Sequence, residues 1–111
     1  MSVDSLTIPT QRVAKSRISE VDFDNLQFGK TFSDHMFVVD YRDGAWQNPQ
    51  VLPYGDMALS PATSSLHYGQ AIFEGMKSYK DENGDLLLFR PQANLQRLNK
   101  SAERLCMPEL Q

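Results

Sequence analysis

The apolar positions change character along the chain. Over residues 1–20 Val3, Leu6, Ile8 and Val13 are scattered without a period, so this stretch reads as an arm. From His35 the run HMFVVDYRDGAW places β-branched and aromatic residues ahead of Arg42-Asp43-Gly44, which predicts a strand opening a hairpin. The return piece, VLPYGDMAL, is broken by Pro53 and Gly55 and reads as an edge or irregular strand, because proline cannot donate to a ladder. Ser60-Pro61 punctuates the chain, and ATSSLHYG has room for one short helical turn. Ala71 to Lys80 and Asp85 to Arg90 then flank Asp-Glu-Asn-Gly, in which Asn83-Gly84 supplies the positive φ angles of a tight connection; this predicts a second hairpin. Finally, Pro91 suits a first helical position and Pro108 a stop. Between them Leu95, Leu98, Ala102 and Leu105 recur at helical spacing, predicting a helix from about Pro91 to Cys106 with this stripe buried.

One residue resists that pattern. Gly75 directly follows Phe73-Glu74 inside the first arm of the second predicted hairpin. Glycine weakens a strand interior, and marks either a bulge or a place where a ligand or another backbone comes close.

Composition narrows the partners. A chain of 111 residues suits one modest domain that buries roughly two thirds of the surface its unfolded form exposes, enough for a core without disulfides or metal. Hydrophobic residues at 41% and charged residues at 23% are ordinary for a soluble globular protein. The net charge of -3, with eleven Lys and Arg scattered among fourteen acids, provides no basic footprint and predicts no nucleic-acid partner. Cys106, the sole cysteine, sits between Leu105 and Met107 and reads as a buried thiol in a reducing compartment. No apolar run approaches the roughly 18 residues of a membrane span. The first seventeen residues lack the apolar core of a signal peptide, so a cytoplasmic protein without a membrane partner is expected.

Candidate chemistry is sparse. There is no glycine-rich phosphate loop and no cysteine pair, and His35 and His67 lie far apart, so no metal site is expected. His67 beside Tyr68 suits either an acid–base role or, the favoured reading, a hydrogen-bonded structural imidazole. Lys77 and Lys80 are amines capable of Schiff-base chemistry, although a lysine beside a hairpin turn is ordinarily solvated. On the predicted helix Arg97, Ser101 and Arg104 fall at i, i+4 and i+7, beside the apolar stripe. That row is either a solvated basic face whose stems cover apolar surface or an anion site, since guanidinium presents a planar fork to phosphate or carboxylate.

The blocks LHYGQAIFEGMKSYK (66–80) and LFRPQANLQRLNKSAERLCMP (88–108), with the spacing between them, resemble the N-terminal region of branched-chain amino-acid aminotransferases, pyridoxal-phosphate enzymes of fold type IV. The segment LQFGKTFSDHMFVVDY (26–41) fits as well, so the resemblance runs from about Asp22 to the end. It implies an α+β fold over residues 21–111, the small N-terminal domain of that fold type, with a mostly antiparallel sheet and the C-terminal helix packed on one face. It also implies a homodimeric enzyme that moves an amino group between leucine, isoleucine or valine and 2-oxoglutarate through pyridoxal 5′-phosphate. By resemblance, Arg97 falls where the family binds the cofactor's phosphate. Phe28 and Phe73 match aromatics lining the pocket for the branched side chain, and Tyr68 matches a tyrosine that completes the neighbouring subunit's pocket. Glu74 and Gly75 belong to the same motif, which would set Gly75 against the cofactor-side cavity. The family's catalytic lysine, and the glutamate facing the pyridine nitrogen, lie in its second domain and have no counterpart up to Gln111, so residues 1–111 alone are expected to be inactive. Two alternatives stay open. One is another fold-type IV enzyme, a D-amino-acid aminotransferase or an aminodeoxychorismate lyase, against which Phe28 and FEGMK argue. The other is a truncated product acting as an interaction module.

Overall fold

A computed structural model describes residues 7–110. The chain divides into two units, Met1–Ala58 and Leu59–Gln111.

The first unit is built on an antiparallel hairpin of β1 (His35–Arg42) and β2 (Ala45–Pro53), in register from His35 opposite Pro53 to Arg42 opposite Ala45. Asp43 (φ 52°) and Gly44 (φ 80°) form its connection. Two consecutive positive φ angles match the right-handed twist of the strands, the reason Asp-Gly is a strong hairpin signal. The return strand begins at Ala45, earlier than the predicted VLPYGDMAL, because a two-residue turn pairs the chain immediately. Asn48-Pro49 is accommodated by an irregularity opposite Val38 to Asp40, where Asn48 adopts φ 54°; asparagine tolerates that conformation, and the extra residue is what a bulge absorbs. Tyr41 and Trp46, directly opposite across the ladder, meet edge to face at 5.1 Å.

Residues 9–11 pair in parallel with the outer edge of β2. Val51 N–H donates to the Pro9 carbonyl and Gln11 N–H to the Val51 carbonyl, each at 2.9 Å. A single 3₁₀ turn follows at Ile18–Glu20. Ahead of it, Asp34 accepts from Ser16 Oγ (2.6 Å) and Arg17 N–H (3.0 Å), and His35 Nε2 accepts from Val13 N–H (3.1 Å). The Ser16 hydrogen bond, then that of the Arg17 backbone, holds the Asp34 carboxyl below the ordinary carboxylate range.

The second unit opens with a one-turn helix, α1 (Ser64–Tyr68), ended by Gly69 in the left-handed region (φ 62°). The hairpin of β3 (Ser78–Lys80) and β4 (Leu86–Leu88) follows, shorter than expected. Its five-residue connection is organised by Asp81, whose carboxylate accepts from Asn83 N–H (2.9 Å) and Asp85 N–H (2.8 Å); Gly84 supplies the positive φ (87°) and Asn83 does not. Residues 71–77 are extended without a ladder partner, so Gly75 lies outside any strand, and a Cβ at that position would meet nothing within 4 Å.

The helix α2 (Pro91–Arg104) starts with proline at its first position and stops two residues before Cys106. Its end is closed by Met107 N–H bonding the Ala102 carbonyl at 2.9 Å, with Cys106 in the left-handed conformation (φ 54°) that glycine usually takes. Cys106 is exposed, not buried as its neighbours suggested, because the chain turns off the helix axis there. The apolar stripe is likewise only partly covered. Ala102 is buried, Leu98 is half-buried, and Leu95 and Leu105 are exposed. Together these are the elements of a small α+β chain with two antiparallel hairpins.

Candidate functional site

The second turn of α2 carries the most organised polar cluster among the described residues. Asn94 and Arg97, at i and i+3, project from one face of the helix, which places both side chains over the extended segment 71–77. Arg97 meets Glu74 side-on, Nε donating to Oε2 at 2.7 Å and Nη2 donating to Oε1. Asn94 Nδ2 donates to Glu74 Oε1 (3.1 Å) and to the Gly75 carbonyl (2.8 Å), and Gly75 N–H adds a further bond to Oε1 at 3.1 Å.

Five donor contacts therefore converge on one short piece of chain. The Glu74 side chain is 10% exposed and that of Arg97 68% exposed. The acid is the inner, fixed partner and the guanidinium the outer one. The Arg97 hydrogen bonds, reinforced by Asn94 against the opposing effect of burial, bring the Glu74 carboxyl down to about 2. The same bonds raise Arg97 above its usual value. Arg97 is permanently cationic, and its Nη1/Nη2 edge faces away from the carboxylate.

The other members of the predicted basic row do not join it. Ser101 Oγ turns back to donate to the Arg97 carbonyl at 3.2 Å, the common resting place of a mid-helix serine. His67 Nε2 contacts the Pro61 carbonyl as donor, in keeping with a structural imidazole. No group of three His, Cys, Asp or Glu residues suited to a metal is present among the described residues, and no described helix is long and apolar enough to cross a membrane.

The three candidate aromatics are all at the surface. Phe28 lies in a turn of the first unit at 106% exposure; in the second unit Tyr68 ends α1 at 85% and Phe73 sits beside Glu74 at 91%. Phe73 is thereby brought next to the acid that grips Arg97. Glu74 itself has no role in the sequence reading beyond its motif. The available signal is that it is the lone acid between Asp56 and Asp81, among apolar neighbours and upstream of a helix bearing Arg97. The first unit also holds an open apolar concavity of about 520 Å³ walled by Ile18, Val21, Phe23, Leu26 and Phe32; none of the four candidate residues lines it.

No profile of a known protein family matches the chain. Individual relatives do. Branched-chain-amino-acid transaminase 1 of Bacillus subtilis is 50% identical over 90 residues, covering 80% of this chain and 25% of its own length. The branched-chain-amino-acid aminotransferase of Mycolicibacterium smegmatis is 48% identical over 98 residues, covering 87% of this chain and 27% of its own length. This chain matches the N-terminal region of branched-chain-amino-acid aminotransferases. Likeness to that family reaches plants, since branched-chain-amino-acid aminotransferase 5, chloroplastic, of Arabidopsis thaliana is 40% identical over 94 residues. The chain spans about a quarter of the length of these branched-chain aminotransferases.

Proposed function

We propose that this chain is the small N-terminal domain, residues 21–111 with an arm at 1–20, of a cytoplasmic fold-type IV branched-chain aminotransferase. The enzyme would act as a homodimer on leucine, isoleucine or valine and 2-oxoglutarate, using pyridoxal 5′-phosphate. The observation that carries this reading is identity near one half over four fifths of the chain with proteins of that name.

The donor set fits a phosphate at one point. Arg97 is cationic, two thirds exposed, and engaged by Glu74 through its Nε and Nη2 groups alone, which leaves the paired N–H groups of the Nη1/Nη2 edge for a phosphate oxygen pair. Bound there, the cofactor would supply the electron sink that makes proton removal from an amino acid's α-carbon feasible. This chain's share of the work is binding and enclosure. Arg97 anchors the phosphate; Phe28 and Phe73 offer apolar faces to the branched side chain and exclude water from it; Tyr68 extends toward the neighbouring subunit's pocket. Exposed rings at all three positions are what such a role requires before the rest of the pocket closes on them. No catalytic residue is assigned to this chain.

The phosphate assignment is tested in the intact enzyme by titrating apoenzyme with pyridoxal phosphate. Arg97→Ala is expected to weaken binding roughly tenfold to a hundredfold, the scale of lost hydrogen bonds from a charged donor. Helix content should hold, alanine being the better helix former. Lysine should rescue in part, retaining charge and losing the fork. Unchanged affinity in Arg97→Ala would return this residue to a solvated face.

A further inference from the structure

Arg97 has flexible torsions and projects mostly into solvent, so by itself it would sample many orientations. The structure removes that freedom from one side. Glu74 takes the Nε/Nη2 edge in a parallel, two-point contact, the geometry that fixes a guanidinium's plane as well as its position. Glu74 is in turn fixed. Its Oε1 accepts from Asn94 Nδ2 and from Gly75 N–H, while Asn94 also binds the Gly75 carbonyl, so the acid is tied to the helix and to its own backbone together. The two edges of a guanidinium point in different directions, so a carboxylate on one does not block an anion on the other.

We infer that Glu74, locked by Asn94 and the Gly75 backbone, is a positioning residue that presents the free Nη1/Nη2 edge of Arg97 to the phosphate group of the ligand. The inference rests on the phosphate reading of Arg97 and adds what aims it. The cluster uses the Gly75 N–H and carbonyl without requiring glycine there, since a Cβ would meet nothing within 4 Å and φ is not in the left-handed region. The depressed Glu74 carboxyl is consistent with an acid that remains ionised, and thus gripping, throughout the working pH range.

The test compares two ligands in the intact apoenzyme, pyridoxal 5′-phosphate and pyridoxal, which differ only in the phosphate. Glu74→Gln is expected to weaken pyridoxal phosphate about three- to tenfold, the scale of one rotamer-rich side chain left to be ordered on binding, with pyridoxal unaffected. Glu74→Asp, which keeps the charge one methylene short, should fall between. A merely structural role would weaken both ligands together, and that result overturns the inference. An unchanged ratio of the two affinities in Glu74→Gln, beside a reduced ratio in Arg97→Ala, also overturns it while leaving the phosphate reading intact. A ratio that rises overturns it too, since Glu74 would then be competing with phosphate for the arginine. An unchanged ratio in Arg97→Ala removes the phosphate reading and this inference with it. Should Glu74→Gln fail to fold, Asn94→Ala decides by the same ratio. Removing that donor to Oε1 should lower the ratio, and no change would contradict the proposal.

Discussion

At the scale of single residues, an acid and an arginine far apart in sequence become one unit through paired hydrogen bonds, with Asn94 and the Gly75 N–H completing the acid's partners. Glu74 is mostly covered and Arg97 is mostly not, so the pair is anchored from the acid's side. The titration consequence has a definite sign. The folded Glu74 carboxyl lies near 2 against an ordinary 4.5, so its contribution to stability is complete above about 4.5 and fades as pH falls toward 2. Following the side-chain carboxyl carbon by NMR from pH 6 downward should place the midpoint near 2. A midpoint at the ordinary value would mean that the Arg97 contact does not persist in solution. The aromatic assignments carry a different expectation. In the intact enzyme Phe73→Ala should impair leucine much more than 2-oxoglutarate, roughly tenfold to a hundredfold in kcat/KM, because what is lost is apolar contact with the branched side chain. Equal losses for both substrates would indicate general damage and remove Phe73 from the pocket.

Among the elements, what was legible in the sequence is what short-range chemistry dictates. Asp43-Gly44 announces the first turn because both residues adopt positive φ, and Pro91 announces the start of α2 because its missing N–H is an unpaired donor there in any case. The misses have equally local causes. β2 begins at Ala45, ahead of the predicted VLPYGDMAL, because an irregularity in the ladder absorbs Asn48-Pro49. Segment 71–77 looked like strand from its apolar content, yet it has no ladder partner among the described residues, and its polar groups serve the Arg97 cluster instead. The helix end offers a stability test. Cys106 holds φ 54°, a conformation costly for a residue with a Cβ, so Cys106→Gly should stabilise the protein by about 0.5–1 kcal/mol in urea unfolding. A destabilised variant would show that the thiol's contacts outweigh the backbone strain.

For the molecule as a whole, the sequence is 41% hydrophobic, yet Ala102 is the single buried hydrophobic residue among the described residues. Leu86, Leu87, Leu88 and Phe89 stay exposed along and beside β4, and Leu95 and Leu105 stay exposed on α2. Periodicity identifies the face of an element that seeks cover; it carries no information about what supplies the cover, which is why the helix stripe was legible and its burial was not. The candidate site divides the same way. Arg97 stood out by its place on a helix and by resemblance, whereas the grip of Glu74 on it depends on tertiary proximity that no spacing rule encodes.

The central claim, that this chain is the phosphate-gripping and side-chain-recognising part of a branched-chain aminotransferase, is tested most directly by the amino-donor profile of the intact enzyme. Purified enzyme loaded with pyridoxal phosphate is offered leucine, isoleucine, valine and D-alanine in turn, with 2-oxoglutarate as acceptor, and glutamate formation is measured. Rapid turnover of the three branched-chain donors with little from D-alanine is the predicted result; preference for D-alanine, or no transfer from any branched-chain donor, would contradict it.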